Sequence, residues 1–146
     1  MKKLSNIYIQ KQKNGISRIK LNEPSTYNAL SSITLKSLIE SFKNLNNDKK
    51  TKVIIIEGTG KGFSGGHNLL EIRSLKKKLK YKKLFNLCSK LMLEIIEGKK
   101  PVIAKIHGAA FAAGCQLAAS CDLAISSDDS IFATPGVNIG LFCSTP

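Results

Sequence analysis

Residues 53–69 read VIIIEGTGKGFSGGHNL, an apolar run of four residues that passes directly into a glycine-rich loop. Four consecutive apolar residues are typical of a strand that is buried on both faces of a parallel sheet. The small residues that follow leave backbone N–H groups open to a ligand, and α/β proteins bind ligands at the carboxyl ends of their strands. The stretch therefore predicts an α/β fold with a candidate binding loop behind its central strand.

A second stretch, residues 102–117, repeats this arrangement as VIAKIHGAAFAAGCQL. A strand predicted over 102–106 passes into a turn of glycine and alanine, and a helix of small residues is predicted over 113–120. The first N–H groups of a helix have no partner within it and carry a partial positive charge. Two backbone donors that converge on one oxygen, one from each stretch, would form an oxyanion hole. Either stretch alone is weak evidence, because glycine-rich loops without a ligand are common.

The pattern outside these stretches alternates helices with strands. Ile7 and Ile9, then Ile19 and Leu21, alternate with polar residues and predict a hairpin with a type I′ turn at Asn14-Gly15. The other predicted elements are a helix from Ser31 or Ser32 to about residue 47, a helix over about 75–97, and strands at 123–125 and 131–132. Helices that alternate with apolar strands indicate an α/β layer fold with parallel pairing after the hairpin.

Length and composition restrict the class of protein. The 146 residues suffice for one domain, and a composition of 42% hydrophobic and 23% charged residues excludes a disordered or collagen-like chain. No run of 18 apolar residues occurs, so we expect no membrane span. The start carries no apolar signal segment, and the cysteines form no C-x-x-C pair. We expect a cytoplasmic protein that holds no metal and has buried, free thiols at Cys88, Cys115, Cys121 and Cys143.

The net charge of +13 is unevenly distributed, because all but one of the 23 basic residues lie in residues 1–100. Six lysines fall within residues 76–83. One interpretation is an anion site for nucleic acid or for a phosphate-bearing ligand. The other is a solvated helix face, which we favour because the run has one aromatic residue and no arginine to stack on bases. We therefore expect no nucleic-acid partner, although the lysines could steer a single phosphate-bearing ligand.

Six motifs occur in order along the chain. They are Pro24-x-x-x-Asn28-Ala29-Leu30, Gly58-x-Gly60-x-x-Phe63-Ser64-x-Gly66-x-Asn68-Leu69, Lys100-Pro101-Val102-Ile103-Ala104, Gly108-x-x-x-Ala112-Ala113-Gly114-Cys115-Gln116-Leu117, Cys121-Asp122 and Phe132-Ala133-Thr134-Pro135. In order and spacing, this series resembles the crotonase (enoyl-CoA hydratase/isomerase) family over essentially the whole chain. The resemblance implies the ββα spiral of the ClpP/crotonase fold, with residues 1–146 as the N-terminal part of a single domain. The spiral would be incomplete at its C-terminus and would leave apolar surface uncovered.

The resemblance also implies a binding site for an acyl-CoA thioester. Relatives stabilise the enolate of the thioester with two backbone N–H groups, and these positions fall on Gly65 and Ala113. Gly66, His67 and Asn68 would complete the turn that binds coenzyme A. The coenzyme would arrive as part of the substrate, so no separate cofactor is expected.

The two acid/base positions of the family's hydratases do not hold glutamate here. The first holds Gln116, which cannot exchange a proton at neutral pH, and the second holds Gly136, which has no side chain. Ordinary hydratase activity is therefore in doubt. Two hypotheses follow from this. The protein is an enzyme that acts by enolate stabilisation, in hydration, isomerisation, thioester hydrolysis or decarboxylation, or it is a non-catalytic acyl-CoA-binding or partner subunit.

Other polar residues near the two stretches are weaker candidates for acid/base chemistry. His67 could titrate near neutral pH, but we expect it to point outward near the CoA phosphates. His107 is expected to be structural, Cys115 to be buried and inert, and Asp122 to accept hydrogen bonds from nearby backbone donors. By the family resemblance we further expect a trimer-based homo-oligomer, and the mitochondrial matrix is the alternative to the cytoplasm.

Overall fold

The computed structural model describes residues 2–4 and 6–141, with side chains from residue 6 onward. The described part of the chain forms nine strands in two sheets and four α-helices. The strands are Lys2–Leu4 (β1), Ile7–Lys11 (β2), Ile16–Leu21 (β3), Val53–Gly58 (β4), Gly62–Ser64 (β5), Val102–Ile106 (β6), Ala109–Phe111 (β7), Leu123–Ser126 (β8) and Ile131–Ala133 (β9). The helices are Ser32–Asn47 (α1), Leu69–Ser74 (α2), Lys78–Ile96 (α3) and Ala113–Ala119 (α4). Cys143 lies outside the described residues.

The two sheets are connected by a repeated path of the chain. The larger sheet has the strand order β1-β2-β3-β4-β6-β8, and the smaller sheet has the order β5-β7-β9. Each of β4, β6 and β8 passes directly into a strand of the smaller sheet, and the first two of these pairs are followed by helices. All pairings after the β2–β3 hairpin are parallel. The predicted α/β class, its ββα spiral and its parallel pairing are therefore confirmed.

The hairpin is present, but its predicted turn type is wrong. A type I′ turn needs a positive φ at both central residues, whereas Gly15 has φ +88° and Asn14 is not in that region. The amide of Gln12 donates to the Ile16 carbonyl oxygen over 2.8 Å, so this pair closes a loop of three residues, 13–15. The side-chain oxygen of Asn14 accepts a hydrogen bond from the Ile16 amide within this loop.

The long helices agree with their hydrophobic pattern, and the boundaries differ in one place. Ser31 is the N-cap of α1, where its hydroxyl accepts a hydrogen bond from the Thr34 amide. The helix predicted over about 75–97 is α3, and the short α2, which Asn68 caps, was not predicted. The chain is extended between the end of α2 and the start of α3 at Lys78. None of the helices in the described part of the chain combines the length and the apolar character that a membrane span requires.

One face of the larger sheet is buried beneath α1 and α3. Ile54 and Ile56 of β4 are fully buried with Leu38 and Phe42 of α1 and Leu91 of α3. Val53 and Ile55 point to the opposite face and are half-buried. The prediction was that β4 is buried on both faces, and in the structure it is fully buried on one face only. At the far edge, apolar side chains are exposed at Leu123, Ile125, Ile131, Phe132, Val137 and Ile139.

Candidate functional site

The loops that follow β4 and β6 lie against each other. Strand β5 of the first loop pairs with β7 of the second, with Gly62 opposite Ala109, and Gly62 also bridges to Gly108. Both loops thus begin at neighbouring strand ends of the larger sheet and meet in the smaller one. The sequence predicted the two loops, but it did not predict the short strands that join them.

Gly66 is a point of close approach between the loops at the predicted site. Its φ is +88°, and a Cβ there would lie 2.8 Å from the Phe111 carbonyl oxygen and 3.1 Å from the Ala113 amide nitrogen. A residue with a side chain at this position would be strained by the left-handed backbone and would push the second loop away. The structure therefore brings together two of the predicted residues, Gly66 and Ala113, through a backbone contact that only glycine permits.

The Ala113 amide is located in the first turn of α4. Ala112 is the N-cap, with φ +48°, and no side chain caps the helix. Among the described residues, no acceptor is paired with the Ala113 amide, as is usual for the first N–H groups of a helix. Gly114 allows this turn to lie on the first loop, because a Cβ there would be 2.8 Å from the Ser64 Cβ.

The Gly65 amide, the other predicted donor, already has an acceptor. It donates to the carbonyl oxygen of Tyr27 over 2.7 Å, so this conformation does not offer it to a ligand. Two residues further on, the His67 amide has no hydrogen-bond acceptor in the described residues. Spacing along the chain could not reveal this difference, because the partner of Gly65 comes from a segment that precedes α1.

Asn28 holds that preceding segment against the first loop. Its side chain is buried, donates to the carbonyl oxygens of Thr59 (2.8 Å) and Gly62 (2.9 Å), and accepts from the Glu23 amide (2.9 Å). Its own carbonyl oxygen accepts a hydrogen bond from the Ser64 hydroxyl. The sequence placed Asn28 in a motif without assigning it a role, and the structure shows that it joins its own segment to the first glycine-rich loop.

The imidazole of His67 packs inward rather than outward, which corrects the predicted orientation toward solvent. Its ring meets the ring of Phe85 edge-on, with centroids 5.2 Å apart, and its Nδ1 is buried without a hydrogen-bond partner in the described residues. Burial lowers the pKa of His67 below its usual value of 6.5, although the Leu30 backbone and the Glu71 carboxylate oppose this. The ring is therefore neutral at pH 7.

The side chain of Asn68, predicted to line the coenzyme-binding turn, has a structural role as a helix cap. Its Oδ1 accepts a hydrogen bond of 3.0 Å from the Glu71 amide and thereby caps α2. Asn68 thus fixes where α2 begins, directly after the candidate donor at His67.

A cavity of about 500 Å³ opens beside the first loop. Its lining is largely apolar and consists of Thr26, Tyr27, Ala29, Gly65, His67, Asn68, Leu69, Leu70, Ala109 and Phe111. Three of the predicted site residues are in this set, while Gly66 and Ala113 lie behind it at the contact between the loops. The lining contains no carboxylate, so the cavity supplies no acidic or basic side chain other than His67.

The two positions of the expected acid/base pair lie on separate elements. Gln116 is half-buried on α4, and Gly136 is buried in the short 3-10 helix Pro135–Ile139. The carboxylate at the entrance to the first loop, Glu57, is engaged elsewhere, since Lys20 and Lys105 lie 3.1 and 3.2 Å from its oxygens.

The remaining candidates have structural roles. The His107 Nε2 lies 2.9 Å from the Gly60 carbonyl oxygen and ties the first loop to the second. Asp122 accepts a hydrogen bond of 2.7 Å from the Val102 amide, as predicted. Burial raises the pKa of the Cys88 thiol to about 12, and burial together with Asp122 does the same for Cys121. Cys115 is half-buried on α4. The described residues hold no group of three potential metal ligands.

Comparison with known proteins gives one consistent result. A family model described as enoyl-CoA hydratase/isomerase matches residues 11–145. The chain is 48% identical over 142 residues to the mitochondrial enoyl-CoA hydratase domain-containing protein 3 of Danio rerio, covering 97% of this chain and 49% of that protein. It is 32% identical over 141 residues to the short-chain-enoyl-CoA hydratase of Clostridium acetobutylicum, covering 94% of this chain and 52% of the other. The chain thus spans about half the length of these relatives.

Solved structures agree in fold. An enoyl-CoA hydratase of Mycobacterium smegmatis superposes with a TM-score of 0.94 at 42% identity, covering 98% of this chain and 56% of that one. The human enoyl-CoA hydratase domain-containing protein 3 gives a TM-score of 0.91 at 46% identity, with 97% and 55% covered. The described strands and helices therefore match a little over half of each of these longer chains.

Proposed function

Because the chain belongs to the enoyl-CoA hydratase/isomerase family, we propose that it binds the thioester of an acyl-CoA where its two glycine-rich loops meet and stabilises the enolate of that thioester. The observation that carries this proposal is the contact of Gly66 with the backbone at Ala113, which brings the two loops together next to two amides, of His67 and of Ala113, that have no acceptor in the described residues. Fixed N–H donors that exclude water are what a developing enolate oxygen requires.

The two donors we propose are the amides of Ala113 and His67. Ala113 is as the sequence predicted, and His67 replaces Gly65, whose amide is bonded to Tyr27. Both amides belong to rigid backbone. Helix α4 fixes the Ala113 amide, and the residue that follows His67, Asn68, is fixed as the cap of α2. Backbone donors held in this way cost little reorganisation when charge develops on the thioester oxygen.

The absence of both glutamates restricts the chemistry that this site can perform. Water addition across a double bond needs a base to deprotonate water and an acid to protonate carbon, which together contribute large rate factors. Gln116 and Gly136 supply neither. We therefore propose slow or altered chemistry on the oxyanion that the two amides stabilise. This oxyanion would be an enolate in isomerisation or decarboxylation and a tetrahedral intermediate in thioester hydrolysis, and all three reactions are to be assayed beside hydration.

A non-catalytic acyl-CoA-binding or partner subunit is the second candidate, and the same two residues favour it. The full-length protein separates the candidates when it is titrated with crotonyl-CoA and assayed for hydration of the same compound. Binding with turnover supports the enzyme, and binding without turnover of crotonyl-CoA or of other thioesters supports the subunit. If crotonyl-CoA does not bind at all, both proposals fail.

Assembly and location are proposals for the whole protein. We propose a trimer-based homo-oligomer, consistent with membership of the family. The similar proteins from Danio rerio and Homo sapiens carry "mitochondrial" in their names, and this favours the mitochondrial alternative over the cytoplasm that the sequence predicted.

A further inference from the structure

Glu71 links the turn at the candidate site to the amino end of a different helix. One carboxylate oxygen accepts a hydrogen bond of 2.9 Å from the Ser32 amide, and the other accepts from the Ser32 hydroxyl. Ser32 is the first residue of α1 and is 39 positions away in the chain. The amino end of a helix attracts negative charge, so this position suits a carboxylate.

Resting on the function proposed above, we propose that Glu71 is a positioning residue of the thioester site, which fixes the His67 amide by tying α2 to α1. The role is indirect, because the carboxylate is bonded to Ser32 and does not line the cavity.

The turn that contains His67 is attached to the rest of the fold on both of its sides. On its amino side, the Leu30 amide donates to the Gly66 carbonyl oxygen over 2.7 Å. On its carboxyl side, the Glu71 amide donates to Asn68 Oδ1, and the Glu71 carboxylate binds Ser32. His67 lies between these two attachments.

Losing the second attachment would release one side of the turn. The α2 helix has six residues and buries only Ile72. A helix this short is marginal without tertiary contacts, and its exposed Leu69 and Leu70 contribute little to holding it. The charge-assisted bonds from Ser32 to Glu71 are thus a main constraint on the position of α2.

The chain offers a matched pair of variants for the test. Glu71→Ala removes the acceptor, whereas Ser32→Pro removes both donors. Proline is well tolerated at the first position of a helix, and the preceding Ser31 already has an extended backbone, with φ −73° and ψ 164°. Glu40→Ala, on the exposed face of α1, is the control for loss of a carboxylate.

The experiment measures the affinity of the full-length protein for butyryl-CoA and for its thioether analogue, which lacks the carbonyl oxygen. We expect the wild type and Glu40→Ala to prefer the thioester. Glu71→Ala and Ser32→Pro should each reduce that preference about tenfold, and the double variant should lose no more than either alone. Glu71→Gln, which retains an acceptor oxygen, should recover part of the preference. A general loss of folding would instead weaken both ligands equally.

Two results overturn the inference in different ways. If the wild type shows no preference for the thioester, the proposed function fails, and the role of Glu71 fails with it. If the wild type prefers the thioester and the folded Ser32→Pro variant keeps the full preference, the function stands and the positioning role of Glu71 is refuted. Ser32→Pro decides the question even where Glu71→Ala does not fold.

Discussion

The carbonyl oxygen of Tyr27 accepts a hydrogen bond of 2.7 Å from the Gly65 amide. Tyr27 has φ +52°, so the chain reverses there and its carbonyl points at the first glycine-rich loop. The bond fixes the residue at which that loop enters the candidate site. Because this bond occupies the Gly65 amide, the donor we propose is the amide of His67, two residues further along, which has no acceptor in the described part of the chain.

Asn28, next to Tyr27, should be a strong determinant of stability. Asn28→Ala would leave the carbonyl oxygens of Thr59 and Gly62 and the Glu23 amide without their partner. Each buried polar group left unsatisfied costs about 1–3 kcal/mol, so we expect the free energy of unfolding to fall by about 3 kcal/mol. Urea unfolding measures this change. Asn47→Ala, at an exposed position of α1, should change it by less than about 0.5 kcal/mol, and equal effects would contradict the role assigned to Asn28.

Gly66→Ala should separate the two loops. Gly140 offers a matched control, because it also has a left-handed backbone, with φ +71° against +88°, but a Cβ there would meet no described residue within 4 Å. Gly140→Ala should therefore cost only the backbone strain of about 1–2 kcal/mol. Gly66→Ala should cost more and should also weaken the binding of butyryl-CoA. Comparable losses of stability in the two variants, with binding intact, would show that the contact with Ala113 is not needed.

The burial of His67 should make stability depend on pH. Because burial lowers its pKa in the folded state, the unfolded chain binds more protons between that pKa and about 6.5. The free energy of unfolding contributed by this residue should therefore fall as the pH drops below about 6.5. Urea unfolding of the wild type and His67→Gln at several pH values measures it. The wild type should lose stability relative to the variant as the pH falls, whereas parallel curves would show that the ring is not buried in solution.

Gln116→Glu tests whether the missing acid/base group limits the chemistry. A carboxylate at this position of α4 would supply one proton-exchanging group, and a positioned acid or base contributes about 10²–10⁴-fold to a rate. Since Gly136 still lacks a side chain, we expect a gain of only about tenfold in crotonyl-CoA hydration, which is below that range. Gln10→Glu, the same change at an exposed position of β2, should leave the rate unchanged. An unchanged rate in Gln116→Glu would argue that this position does not face the reacting carbon.

The parts of the fold that follow from local pattern were predictable. The strands at 53–58 and 102–106 are apolar runs, and α1 has a regular apolar stripe and a serine cap, so each is specified by its own residues. Strands β5 and β7 have three residues each, of Gly, Ala, Ser and Phe. They exist because the two loops pair with each other, which no local pattern reveals.

The candidate site was predictable in location but not in detail. The glycine and alanine content indicated where backbone would be accessible, and Gly66 and Ala113 do meet. The spacing of residues could not show that the Gly65 amide is already bonded, because the Tyr27 carbonyl oxygen reaches it only through the tertiary structure. The bond between Glu71 and Ser32 joins two polar residues that carry no motif, and only the packing of α2 on the amino end of α1 brings them together.

The most direct test of the account is the infrared carbonyl stretch of butyryl-CoA, labelled with ¹³C at the thioester carbon, when it is bound to the full-length protein. Two backbone N–H groups at the thioester oxygen polarise the carbonyl, so the band should shift to lower frequency on binding, and Gly66→Ala should reduce the shift. A bound thioester whose carbonyl band stays at its frequency in water would contradict the account, because the ligand would then be held without the two amides.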